Sequence, residues 1–299
     1  MPLVDIQGRQ LKLSNLDKVL YPAAGFTKAH VIDYYARIGR WMVPHLRDRP
    51  LTFKRYPNGV EGEFFFEKNC PAHRPEWVKT ARVQHSSEAK DYCLANDVPT
   101  LVWAANLAAL ELHPSLSHAA RMEHPTMMVF DLDPGAPAAL LECCQVAVVL
   151  RGMFQALKLK CFAKTSGGKG LQVYVPLNAP AVTYEDTKGF SRQVALLLEQ
   201  QLPKLVVSNM KKELRVGKVL VDWSQNDEKK TTVAVYSLRA RERPTASTPV
   251  SWDEVEEALK SRRPERLVFE AAEVLERVEK DGDLFEPTVT LKQKLPPLP

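Results

Sequence analysis

Two aspartates one residue apart, Asp131 and Asp133, close the apolar run TMMVFDLDPG at residues 126–135. Side chains at i and i+2 of a β-strand leave the same face, so this run predicts a strand presenting both carboxylates together, with Leu132 turned away. A carboxylate pair suits a hard divalent cation such as Mg²⁺ or Mn²⁺. Cations held by carboxylates and substrate phosphates are the usual apparatus of phosphoryl and nucleotidyl transfer. Asp, Pro and Gly are also what a solvated turn uses, so the pair alone decides nothing. A third carboxylate, Asp222, ends another apolar β-type run in KVLVDWSQN. Between them lies KTSGGKGLQVYVPL, where Ser166, Gly167, Gly168, Lys169 and Gly170 separate strands expected at 161–164 and 171–175. Glycines let backbone N–H groups approach a triphosphate closely, and Lys169 adds charge. This is not a Walker A loop, because the GxxxxGK[ST] spacing is absent and a strand follows. Three carboxylates at strand ends and one Gly-rich loop predict a two-metal nucleotidyl transferase site.

FDLDPG, SGGKGLQVYVPL and VLVDWSQN, in that order and spacing, resemble the archaeo-eukaryotic primase superfamily, and within it the polymerase domain of bacterial ligase D, an enzyme of non-homologous end joining. The resemblance runs from NLDKVLYP through EFFFEKN and LELHPS to YSLRARERPTASTPVSWDEV. It implies an α/β (α+β) fold, with a primase-type core on an RNA-recognition-like sheet, an N-terminal α/β lobe and flanking helices. One primase-polymerase domain over 1–299 is expected, with the lobe at about 1–110, the catalytic core at about 111–299 and a linker starting at about 293–299. The implied activity is DNA-directed addition of nucleotides, preferentially ribonucleotides, to 3′ ends during gap filling and double-strand-break joining.

In that reading Asp131 and Asp133 bridge two metal ions, Mn²⁺ in preference to Mg²⁺, and Asp222 holds the ion that activates the 3′-hydroxyl. Ser166, Gly168, Lys169, Gly170, Gln172 and Arg239 serve the nucleoside triphosphate, supported by Arg215 and Gln225, and His113 of LELHPS belongs to the nucleotide site. One of Ser166 and His113 is expected to contact the sugar. Lys18 and Lys28 match lysines that bind the 5′-phosphate across a DNA gap, and Lys28 near a helix N-terminus is well placed for an anion. Lys54, Arg55 and Lys68 are assigned to DNA, with Phe65 and Phe66 stacking on template bases, although a core strand competes for those aromatics. Gln172 departs from the histidine that many superfamily members carry there; glutamine donates to a phosphate without charge, so no proton transfer is expected of it. Implied partners are broken or gapped DNA with a 5′-phosphate, NTP or dNTP, Ku, and ligase and phosphoesterase domains, in a bacterial cytoplasm near the nucleoid. Two other classes compete: a non-catalytic DNA-end-binding module, and a Mn²⁺-dependent glycosyltransferase of the Asp-x-Asp kind. Asp222 and the basic first lobe favour nucleic acid over sugar.

The elements that position these residues read as follows. The chain has 299 residues, 45% of them hydrophobic, enough for one large core or two lobes, and 22 prolines suggest many short connections. Net charge is only +5, but Lys and Arg cluster in the first lobe and around Asp222, as a polyanion substrate requires. No stretch approaches a membrane span, and no basic start precedes an apolar core, which argues against secretion. Cys70, Cys93, Cys143, Cys144 and Cys161 show no disulfide-like spacing, so free thiols in a reducing cytosol are expected, and Cys70 with His73 lacks the partners of a zinc site. A strand precedes a helix capped by Thr27; a polar surface loop is expected at 86–99, a buried helix at 100–112 and a long helix at 138–159. Further helices are expected at 183–202, 252–260 and 265–280, with a strand at 231–238.

Overall fold

The computed structural model describes residues 2–84 and 88–296 and divides into two units, each drawn from separated stretches of the chain. Unit 1 holds Met1–Ala120, Thr231–Ser247 and Phe269–Asp283; unit 2 holds Arg121–Lys230, Thr248–Val268 and Leu284–Pro299.

Unit 1 opens with two short antiparallel pairs, β1 (Leu3–Ile6) with β2 (Arg9–Lys12) and β3 (Val19–Tyr21) with β4 (Phe26–Thr27). Thr27 then caps α1 (Lys28–Leu46) as the sequence predicts: its hydroxyl accepts from the His30 N–H, and the His30 ring accepts from the Thr27 N–H. Val31, Tyr34, Tyr35, Ile38 and Met42 recur at helical spacing and are buried, which turns one face of α1 into the core. The following sheet contains β5 (Leu51–Arg55), β6 (Phe65–Glu67), β7 (Thr80–Gln84), β8 (Ala89–Cys93) and β9 (Ala109–Pro114), with α2 (Val98–Asn106) packed on α1.

Three expectations change here. The loop expected at 86–99 falls partly on residues 85–87, outside the described residues, but 89–93 is a strand with Tyr92 and Cys93 buried. The helix expected at 100–112 stops at Asn106: Ala108 adopts a positive φ of 57°, and the apolar run beyond it becomes β9. The cysteines are not all free. Cys70 and Cys93 form a disulfide with Cα atoms 5.0 Å apart, because strand β8 runs beside the loop after β6, where the Cys70 N–H donates to Asp91 O. Cys143, Cys144 and Cys161 are free and buried.

Unit 2 is built on six strands: β10 (Met127–Pro134), β11 (Phe162–Thr165), β12 (Leu171–Pro176), β13 (Val206–Val207), β14 (Val219–Asp222) and β15 (Pro249–Val250). Their order is β13-β14-β10-β12-β11-β15, antiparallel throughout except between β13 and β14. Helices α3 (Leu140–Ala156), α4 (Tyr184–Gln201) and α5 (Trp252–Ser261) accompany it near the expected bounds. Phe130 meets Phe154 of α3 with ring centroids 5.3 Å apart, and Cys143 Sγ donates to Leu132 O, so α3 covers the face bearing Phe130 and Leu132. Asp131 and Asp133 leave the opposite face.

Helix α6 (Ala271–Asp281) belongs to unit 1, against α1, and α7 (Pro287–Thr290) to unit 2, against β12. The helix expected at 265–280 is thus two pieces, a 3-10 turn at Pro264–Leu267 and α6. The strand expected at 231–238 is irregular. Its Thr232 and Ala234 N–H groups donate to the Pro114 and Leu112 carbonyls, while Leu238 makes only an isolated bridge to Ala246. Gln293, where the linker was expected to start, is still tied to unit 2 through Leu177, Lys160 and Pro176; residues 297–299 lie outside the described residues. Among the described residues, no helix is long and apolar enough to cross a membrane.

Candidate active site

Strand β10 sits between β12 and β14, which places Asp131 directly opposite Gln172 on one side and Asp222 on the other; Lys164 of β11 in turn lies opposite Gln172. Directly opposed residues share a face, so Lys164, Gln172, Asp131 and Asp222 form one row across four strands, with Asp133 two residues along. Lys164 and Gln172 are buried, and Lys164 Nζ donates to Gln172 Oε1 at 2.5 Å. With its carbonyl taken, the Gln172 amide bonds to Asp131 through its N–H groups. Burial pushes the Asp131 acid up to about 6; the charges of Asp133 and Asp222 add to that, and Gln172 and Lys164 oppose it.

A carboxylate crowded by two others fits hard divalent cations, since bound positive charge removes the repulsion. The ligands are not drawn together in advance: among the described residues, no three His, Cys, Asp or Glu groups gather at a common point. Asp222 shows why. Its Oδ1 accepts from the Ser224 N–H at 3.0 Å and hydroxyl at 2.6 Å, and its Oδ2 accepts from Gln225 Nε2 at 3.0 Å, so the carboxylate closes its own turn. Gln225 therefore supports the site through Asp222.

The Gly-rich turn is placed next to this row. Gly170 packs so tightly on β10 that a Cβ there would lie 2.3 Å from Leu132 O, a close approach only glycine permits. Ser166 Oγ accepts from the Gly168 and Gly170 N–H groups at 3.2 and 3.1 Å, so two of the amides expected to face a phosphate are bound within the turn. Lys169 is exposed at its tip. Arg215 lies against Gly135, close enough that its carbonyl excludes a Cβ there, and its guanidinium donates from Nη2 to Met210 O at 2.6 Å.

Unit 1 carries a second group. Glu111 and His113 share a face of β9, opposite Lys54 and Thr52 of β5, and Arg239 Nε lies 3.2 Å from Glu111. On the same sheet Phe65 and Phe66 are 43% and 57% exposed, which decides against the core-strand reading. Lys54 Nζ lies 4.1 Å from the Phe64 ring centroid and 5.6 Å from that of Phe66, while the Arg55 guanidinium lies 5.1 Å from that of Phe65 and pairs with Glu67 at 3.0 Å. Lys68 is exposed just past β6. A separate cavity of about 300 Å³ gathers Lys18, Lys28 and Arg55 with Asn15 and Asn106. There Lys28 Nζ donates to Ser14 Oγ at 3.2 Å and Lys18 Nζ to Asn58 Oδ1 at 2.9 Å.

Sequence reasoning missed several of these groups. Glu111 sits two residues from His113 on β9, so strand alternation was the available signal for it, whereas Lys164 is brought across from Gln172 only by the pairing of β11 with β12. Asn226 offered none: buried completely, its amide bonds to both Val129 N–H and C=O and pins β10 two residues before Asp131.

A mixed α/β fold with aspartates at the ends of neighbouring strands beside a Gly-rich turn defines the class of primase-type nucleotidyltransferases. The model of the LigD primase-polymerase domain matches residues 27–285, and the chain belongs to that family. It is 44% identical over 280 residues to the multifunctional non-homologous end joining protein LigD of Mycolicibacterium smegmatis, covering 93% of this chain and 36% of that protein. Against the bifunctional LigD of Bacillus subtilis it is 30% identical over 276 residues, covering 92% and 44%. The chain thus spans between a third and a half of the length of these relatives. The polymerase domain of Mycobacterium tuberculosis ligase D, solved in complex with DNA, superposes with a TM-score of 0.87 at 39% identity, over 95% of this chain and 99% of that one. Membership leaves the glycosyltransferase reading without support.

Proposed function

We propose that this chain extends a DNA 3′-hydroxyl by nucleotidyl transfer at gaps and broken ends, preferring ribonucleoside triphosphates and using two divalent cations, Mn²⁺ before Mg²⁺, bound through Asp131, Asp133 and Asp222. The observation that supports it most is the cross-strand row in which Asp131 and Asp222 face each other beside the Ser166–Gly170 turn. When bound, such cations acidify the attacking hydroxyl and neutralise charge developing on the phosphates. The protein's own part is placement. Lys164 fixes Gln172, and Gln172 orients the Asp131 carboxylate; Ser224 and Gln225 hold Asp222 until a stronger partner takes it. Lys169 offers its ammonium to the triphosphate from the tip of the turn, with Ser166 as a further contact.

On the DNA side, Lys18, Lys28 and Arg55 receive a 5′-phosphate in their cavity, and Phe65 and Phe66 stack on template bases, which every base tolerates. Ku and ligase and phosphoesterase domains are the partners this reading implies, in a bacterial cytoplasm near the nucleoid. The test is single-nucleotide addition to a gapped duplex bearing a 5′-phosphate, with ribo- and deoxynucleotides, in Mn²⁺ and in Mg²⁺. Faster ribonucleotide addition in Mn²⁺ is expected. No addition with either ion contradicts the proposal.

A further inference from the structure

Strand β6 carries Phe65 and Phe66 to the surface on little support. It is three residues long, about half the usual strand, and among the described residues it pairs with β5 alone. Phe64, Phe65 and Phe66 are exposed, so burial of their rings holds the segment only weakly. The Cys70–Cys93 disulfide stands where the ladder runs out. Phe53 of β5 faces Glu67 of β6, and two residues earlier Leu51 faces Cys93 of β8, so β8 takes over β5 at the point where β6 leaves it. Across that junction Asn69 Oδ1 accepts from the Asp91 N–H at 3.2 Å and the Cys70 N–H donates to Asp91 O at 2.6 Å. The bridge adds a covalent tie between residues 23 positions apart.

We propose that Cys70–Cys93 is a redox-modification site that sets DNA affinity: the bridge holds β6 so that Phe65 and Phe66 present to a template strand, and its reduction by a dithiol loosens β6 and weakens that contact. This rests on the assignment of Phe65 and Phe66 to DNA. Cys93 is 1% exposed and Cys70 only half-buried, so an incoming thiolate reaches Cys70. Its sulfur bonds to Cys70 Sγ, the protein S–S bond breaks, and Cys93 leaves as a thiolate that takes up a proton. The second thiol of the reductant then displaces Cys70 as a free thiol and closes the reductant's own disulfide, so the protein gains the electrons and protons that the dithiol loses. Cys143, Cys144 and Cys161 compete poorly for such reagents, because burial pushes their thiols up and leaves little thiolate. The setting proposed above, a bacterial cytoplasm, keeps most thiols reduced, and disulfides found there are usually transient, catalytic or redox-sensing.

The measurement is the dissociation constant for gapped DNA with a single-stranded template stretch, taken on the oxidised wild type and again in dithiothreitol, with alkylation and mass spectrometry reporting the state of Cys70 and Cys93. Reduction is expected to weaken binding about fivefold or more, the lower end of what one lost base stack is worth. Cys70→Ser is expected to bind as the reduced wild type does and to ignore dithiothreitol; a response places the effect on another cysteine and overturns the proposal. A change within about twofold on reduction, while Phe66→Ala weakens the oxidised protein about fivefold or more, overturns the clamp and leaves the DNA assignment standing. Phe66→Ala within about twofold of the oxidised wild type overturns that assignment, and the proposal with it. A bridge that survives dithiothreitol, or a pair that stays as thiols in an oxidising dithiol–disulfide buffer, also overturns it. Independently of DNA and of any variant, hydrogen exchange over residues 64–69 is expected to speed up on reduction while that of β10 does not change. Unchanged exchange at 64–69, or an equal rise in β10, shows that the bridge does not act on β6 and overturns the proposal.

Discussion

The Lys28 ammonium is 5% exposed and bonds to a neutral hydroxyl, Ser14 Oγ, with Lys18 and Arg55 lining the same cavity. Burial, and then those two cations, lower its pKa to about 8. A phosphate dianion reverses the effect, because it favours the charged form. Lys28 is therefore charged and anion-seeking at pH 7 and loses its proton in the empty cavity as pH rises through about 8. The affinity gained from a 5′-phosphate is expected to be largest near pH 7 and to shrink above pH 8, read as the ratio of binding to gapped DNA with and without that phosphate at pH 7 and pH 9. A ratio that holds or grows at pH 9 assigns the phosphate contact elsewhere. The same comparison made with Lys28→Ala should show a small ratio at both values.

At the scale of elements, the position of β10 depends on Asn226, whose amide also bonds to Ser191 Oγ and Trp223 O. Asn226→Ala leaves the Val129 N–H and C=O without those partners in a buried place, so a stability loss of about 2 kcal/mol or more is expected in urea unfolding. A loss below about 0.5 kcal/mol would show that β10 is held by its neighbours alone. The carboxylates of β10 and β14 were legible in the sequence because a strand's period of two and an apolar run together fix both element and face. The Thr27 start of α1 was legible for the same kind of local reason. What was not legible depends on register. Nothing near Gln172 announces that Lys164 lies beside it, and the bond that turns the Gln172 amide exists only once β11 and β12 pair. The 231–238 stretch has strand composition but lends its N–H groups to β9 without a regular ladder, and β9 itself was hidden in a run apolar enough for a helix. The Cys70–Cys93 pair also waits on β8, because Cα proximity and not spacing makes it.

For the whole molecule, the consequence is that unit 1 is not a continuous piece of chain. Tyr34 OH donates to Tyr236 O at 2.7 Å, Ser237 Oγ accepts from the Leu112 N–H at 2.9 Å, and His45 lies 2.7 Å from Asp283, so residues 231–247 and 269–283 complete buried bonds begun before residue 120. A fragment of residues 1–120 is expected to lack a dispersed NMR spectrum and a cooperative thermal transition, since those polar groups lose their partners; a well-dispersed spectrum would contradict this. The central claim, that the Asp131 row carries nucleotidyl transfer, is tested most directly by one nucleotide added to gapped DNA in Mn²⁺ by the wild type and by Asp131→Asn, with DNA binding measured on the same preparations. Addition is expected to fall at least about a hundredfold while binding stays within about twofold, because the cations act on the chemistry and the basic surface supplies most of the affinity. Addition by Asp131→Asn at near the wild-type rate would contradict the claim.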